Sequence, residues 1–175
     1  EGTPGVMVMA DVYQGLEGVE RGTVKYLRVC EVYPKLIHTL PQRVDVGAGS
    51  GWDIRGVLGT VPVEPDGSAH FEVPSGRMLF FEALDENYLE IRRMRNYVNV
   101  MPGERASCVG CHESYQTAAS GRASGDLEAL RRGPSPITPP PWGGTGQGFS
   151  FEQYVQPVLD QQCVSCHDGI DDEGQ

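Results

Sequence analysis

The chain has no run of about eighteen apolar residues and no signal-like apolar segment at its start. The sequence therefore predicts no membrane-spanning helix, and a chain already processed or excised from something longer. Positive charge is in short supply. Fourteen basic residues stand against 24 acidic ones, a net charge of −10, which argues against nucleic acid or anionic lipid as a partner and for redox or docking proteins of basic character. An all-helical composition is also missing, because 23 Gly and 13 Pro interrupt the 175 residues and favour short strands and turns. Histidine is scarce, at four, and no methionine follows Met101.

Against these absences stand five cysteines, four of them in two copies of Cys-x-x-Cys-His. The copies are Cys108-Val109-Gly110-Cys111-His112 and Cys163-Val164-Ser165-Cys166-His167. Two thiols three positions apart can add to the two vinyl groups of one porphyrin while the adjacent imidazole reaches the iron, so each motif reads as a covalent c-type haem site. Cys108 and Cys111 would anchor one haem with His112 proximal, and Cys163 and Cys166 a second with His167 proximal. A zinc site built from paired Cys-x-x-Cys elements and a thiol redox pair are the competing readings, and the histidine directly after both motifs weighs against them. Because c-type haem is attached outside the cytoplasmic membrane, the expected location is periplasmic or extracellular. Cys30, the fifth, lies in an apolar stretch and reads as a buried inert thiol, with a metal ligand or an intermolecular disulfide as alternatives.

The pattern along the chain is mainly β. Val6 to Ala10 reads as an edge strand, and Thr23 to Tyr33, Gly56 to Val63, Ala69 to Val73, Arg77 to Asp85 and Met94 to Met101 as further strands, separated by turns such as Pro65-Asp66-Gly67-Ser68 and Pro74-Ser75-Gly76. Short strands at that spacing predict a β-sandwich-like domain with the first haem motif at its end. The expected organisation is an N-terminal edge segment (1–21), a β-rich haem domain (22–117), a Pro/Gly-rich linker (118–149) and a C-terminal haem segment (150–175). Within the linker, Asp126 to Arg132 could form two helical turns, and the remainder is expected to drape over haem surface. Ser150 reads as the N-cap of a helix through Leu159, with Pro157 as an interior kink, leading to the second motif.

The iron atoms need further ligands. His38 and His70 are the only histidines outside the motifs, and every methionine precedes Cys108, so a distal His or Met must come from the first 107 residues or from another chain. Pairing His38 and His70 with the two irons predicts low-spin bis-His haems suited to electron transfer rather than catalysis.

The segments Arg21-Gly-Thr-Val-Lys-Tyr-Leu-Arg-Val, Gly56-Val-Leu-Gly-Thr-Val-Pro-Val-Glu-Pro-Asp-Gly-Ser-Ala-His-Phe-Glu-Val-Pro, Phe81-Glu-Ala-Leu-Asp and Met101-Pro-Gly-Glu-Arg-Ala-Ser-Cys-Val-Gly-Cys-His-Glu resemble, in order and spacing, the hydrazine synthase alpha subunit middle-domain family. The resemblance covers roughly residues 10 to 117. Residues 151–167 separately resemble the start of a bacterial cytochrome c domain. The first resemblance implies a secreted, β-rich haem domain in which the iron carries a tyrosine shortly after the motif and the motif histidine binds zinc with a distant cysteine; Tyr115 and Cys30 could take those roles. The reading carried forward is a secreted dihaem electron carrier. Its alternatives are a redox enzyme of nitrogen compounds with an open or Tyr-ligated first haem, and a subunit of a polymeric cytochrome filament in which a distal histidine is donated across subunits.

Overall fold

Apolar residues that alternate with polar ones give strands one buried face, and glycine- and proline-rich turns set their lengths. In a computed structural model that describes residues 2–33, 54–111, 126–143 and 150–167, seven strands form two sheets. The strands are β1 (Gly5–Met9), β2 (Tyr26–Tyr33), β3 (Ile54–Pro62), β4 (Ala69–Val73), β5 (Met78–Leu84), β6 (Glu90–Arg93) and β7 (Arg105–Cys108). One sheet has the order β4-β1-β7 and the other β3-β2-β5-β6.

The two sheets share a single apolar core. Met7, Met9, Phe71 and Val73 of the first join Leu27, Val29, Leu79 and Phe81 of the second in one buried cluster. Phe71 meets Phe81 edge to face across the gap, with ring centroids 5.6 Å apart. The outer face of the four-stranded sheet carries a smaller cluster of Cys30, Val32 and Phe80.

Four of the expected strands lie where the sequence predicts them, and two expectations change. The strand expected at the edge near Val6 is central: β1 pairs antiparallel with β4 and parallel with β7. The missing neighbour, Arg105-Ala106-Ser107-Cys108, is poor in β-branched and aromatic residues, so its strand is set by pairing rather than propensity. The strand expected over Met94 to Met101 is instead an isolated bridge between Val98 and Leu79, preceded by β6. Charge-rich Glu90-Ile91-Arg92-Arg93 suits an exposed sheet edge, where charged side chains deter further pairing.

Residues expected to form flanking or linking segments are built into this body. Leu127 and Ala129 are buried, and Ser135 and Thr138 bridge to Phe71 of β4 and Thr60 of β3. Asp66 and Ser68 receive this strap, accepting hydrogen bonds from the Glu128 and Ala129 amides at 3.0 Å each. The two helical turns expected there reduce to one 3₁₀ turn, Glu128–Arg131, since Gly133-Pro134 cannot extend it. Gly59, at φ 148°, is obligatory: a Cβ there would lie 2.1 Å from the Thr138 carbonyl oxygen.

The C-terminal segment is built differently. Ser150 caps it as expected, its Oγ accepting from the Gln153 amide at 3.2 Å. A π-helical turn, Phe151–Val155, then leads into α1 (Gln156–Gln162). Pro157 falls in the first turn of α1, directly after the π-helical turn. Neither helical piece buries a side chain.

Candidate functional site: two thiol pairs in unlike settings

The first motif begins inside a sheet. Cys108 ends β7 opposite Met9, and the register puts its side chain on the core-facing side with Met9 and Ala69. Pairing continues past the strands: the Ala10 amide donates to the Cys108 carbonyl at 2.9 Å and the Asp11 amide to the Val109 carbonyl at 3.1 Å. Gly110 then presses on the loop after β1, where a Cβ would come within 2.5 Å of the Cβ and the carbonyl oxygen of Gln14. That loop is itself tied down. Buried Asp11 accepts from the Tyr13 amide at 3.1 Å and pairs with Arg21. Thus the backbone carrying the thiols is fixed on both sides.

Cys108 and Cys111 pack against the shared core. Burial, reinforced by neighbouring Cys108 and Asp11, pushes the Cys111 thiol up to about 12, so at neutral pH it is uncharged. Beside the pair lies a cavity of about 550 Å³ lined by both thiols, with Met9, Phe81, Met94 and Val98 forming apolar wall. Arg92, Arg93 and Arg95 line it from the edge of the other sheet. A pocket of this size and character, with paired thiols at its side, fits a covalently held porphyrin.

The second motif is a continuation of α1. The Cys163 and Val164 amides donate to the Leu159 carbonyl at 2.8 and 3.0 Å, and the His167 amide to the Cys163 carbonyl at 2.9 Å. A helical turn places residues three apart on one face, so Cys163 and Cys166 can serve one ligand. Cys163, Cys166 and His167 are all exposed.

The candidate distal ligands separate. His70 lies on β4 opposite Val8, whose partner on the far side is Ser107 of β7, one residue out of step with Cys108, which turns its ring to the other face of the sheet. There it is 4% exposed, Nδ1 donates to the Arg132 carbonyl at 3.2 Å, and Nε2 has no partner among the described residues. The structure thus places His70, expected as an iron ligand, on the sheet face opposite the Cys108 side chain, hydrogen-bonded to the strap at Arg132. His38, His112 and Tyr115 lie outside the described residues. Among the described residues no three His, Cys, Asp or Glu side chains gather to hold a metal ion.

The sequence profile of the hydrazine synthase alpha subunit middle domain matches residues 22–113. The chain belongs to that family. Of the solved structures, Kuenenia stuttgartiensis hydrazine synthase is similar to it with a TM-score of 0.72 and 18% identity, over 99% of this chain. The chain spans 30% of that solved chain, and the likeness is one of fold. A search of curated proteins found no significant match. No helix among the described residues is long and apolar enough to cross a membrane.

Cys30 is 2% exposed on the outer face of the four-stranded sheet, away from the core that receives Cys108 and Cys111. Burial pushes its thiol to about 12, with Glu82 adding to the effect. Sequence reasoning did not single out the cavity wall. Arg92-Arg93-Met94-Arg95, a basic run in an acidic chain, was the available signal for it.

Proposed function

We propose that this chain is the c-type haem domain of a redox enzyme acting on small nitrogen compounds, with a first haem that keeps one iron face available to a ligand. Family membership and the placement of both thiols on one apolar cavity support the reading. The single observation that carries it is the cavity itself: both thiols of the first motif border a space of about 550 Å³ between the edges of the two sheets.

Cys108 and Cys111 would hold the macrocycle as thioethers, with His112 next in the motif. The haem, when bound, supplies one-electron chemistry at iron. The chain's own part is to fix the anchor through Gly110 and Gln14, and to keep water from one side with Met9 and Phe81. Cys163, Cys166 and His167 would hold a second haem on an exposed helix end, the start of a cytochrome c-like segment, where electrons can be exchanged with a partner protein. Covalent attachment of this type implies a periplasmic or extracellular site of action.

Carbon monoxide added to the reduced holoprotein tests this. The haem at the first motif should bind it, and that share of the adduct should vanish in the Cys108→Ala, Cys111→Ala variant. Two low-spin haems inert to carbon monoxide would return the chain to the electron carriers.

A further inference from the structure

The wall opposite the thiols has a charge pattern of its own. The cavity lies between two sheet edges: Cys108 comes from β7, which ends one sheet, and the arginines come from β6 and the residues after it, which end the other. Arg93 is neutralised by Glu90 through two bonds of 2.7 Å. Arg92 and Arg95 make no ion pair among the described residues, although the chain carries ten more acidic than basic groups. Two solvent-exposed guanidinium groups, without an ion pair among the described residues, therefore line one side of an otherwise largely apolar cavity.

A haem has two vinyl groups on one half of its ring and two propionates on the other. Anchoring the vinyl half on β7 would turn the carboxylate half toward the opposite edge. We propose that Arg92 and Arg95 bind the two propionates of the haem anchored at Cys108 and Cys111, orienting it across the gap between the sheets. Guanidinium geometry matches a carboxylate, and the charges of +2 and −2 balance. This assignment rests on the c-type haem reading.

The test is a redox titration of the intact holoprotein and its Arg92→Gln, Arg95→Gln variant, with Arg131→Gln as a control for one exposed charge elsewhere. Removing cations beside the propionates disfavours reduction. One of the two redox waves should fall by about tenfold in its equilibrium constant, about 59 mV for one electron, with partial recovery in the Arg92→Lys, Arg95→Lys variant. If the double variant loads no haem, the two single Gln variants carry the test, each moving the same wave about half as far. Retained haem with potentials equal to those of the Arg131→Gln control would overturn the assignment. Wild-type protein whose intact mass shows no haem would overturn it together with the haem reading, a result distinguishable from the first.

Discussion

The two Cys-x-x-Cys-His motifs are nearly the same in sequence and opposite in surroundings. The first leaves a strand, is held by amides of the neighbouring strand and loop, and borders an apolar cavity. The second finishes a short helix that buries no side chain. The motif chemistry asks only for two thiols and an imidazole at fixed spacing, and both a strand end and a helical turn can provide them. What differs is the wall around the ligand. A cavity wall can choose which iron face stays open, whereas an exposed turn leaves that choice to another chain or to solvent.

The largest expected effect breaks or confirms this contrast by packing. Phe71→Ala removes a side chain 1% exposed that meets Phe81 between the sheets, and should cost about 3–5 kcal/mol, lowering Tm by roughly 10 °C. Val158→Ala, at 56% exposure on α1, should stay within about 0.5 kcal/mol. Calorimetry of the holoprotein decides the matter. A Val158 variant as damaging as the Phe71 one would mean that the helix is covered, by haem or by a partner, and that the contrast is one of the isolated chain only.

A sharper comparison uses the motifs' one internal difference, Gly110 against Ser165. Alanine at 110 would drive its Cβ into Gln14, so the loop or the motif must shift, at a cost of about 1–3 kcal/mol. Alanine at the exposed position 165 should be neutral. Intact mass should therefore show reduced loading at the first motif for Gly110→Ala and full loading for Ser165→Ala. Equal loading in both would mean that the Gly110 contact does not position the thiols.

The four strands with strong apolar alternation, including Ala69-His70-Phe71-Glu72-Val73, were legible because periodicity and burial agree there. Two parts were not. Arg105-Ala106-Ser107-Cys108 lacks strand-forming residues and is a strand only because β1 offers it backbone partners. Glu90-Ile91-Arg92-Arg93 looks polar because it is an edge. Both lie at the sheet edges that make the cavity, so the site was the least legible region although its cysteines were the clearest motif. His70 shows the same limit: alternation identified its strand, but the face it points to depends on register with β1, which only the fold supplies.

The smallest expected effect concerns Cys30, the thiol that belongs to neither motif. In the holoprotein four cysteines should be thioethers, leaving one free thiol, buried beneath Val32 and Phe80. A thiol reagent should find nothing in the native state and one group per chain after unfolding. Two or more groups reacting before unfolding would show that a motif is unloaded. The pH dependence follows from the direction of the shift. Cys30 has its folded pKa raised from 9.0 to about 12, because burial disfavours the thiolate. The unfolded chain therefore loses this proton first as pH rises. The contribution is fully present below pH 9, and it is lost progressively as pH climbs toward 12. The difference between wild type and Cys30→Ala isolates this one thiol and is the quantity to follow. Tm of the variant should fall less steeply than that of wild type from pH 9 upward, and parallel curves would show that the thiol is already solvated in the native state.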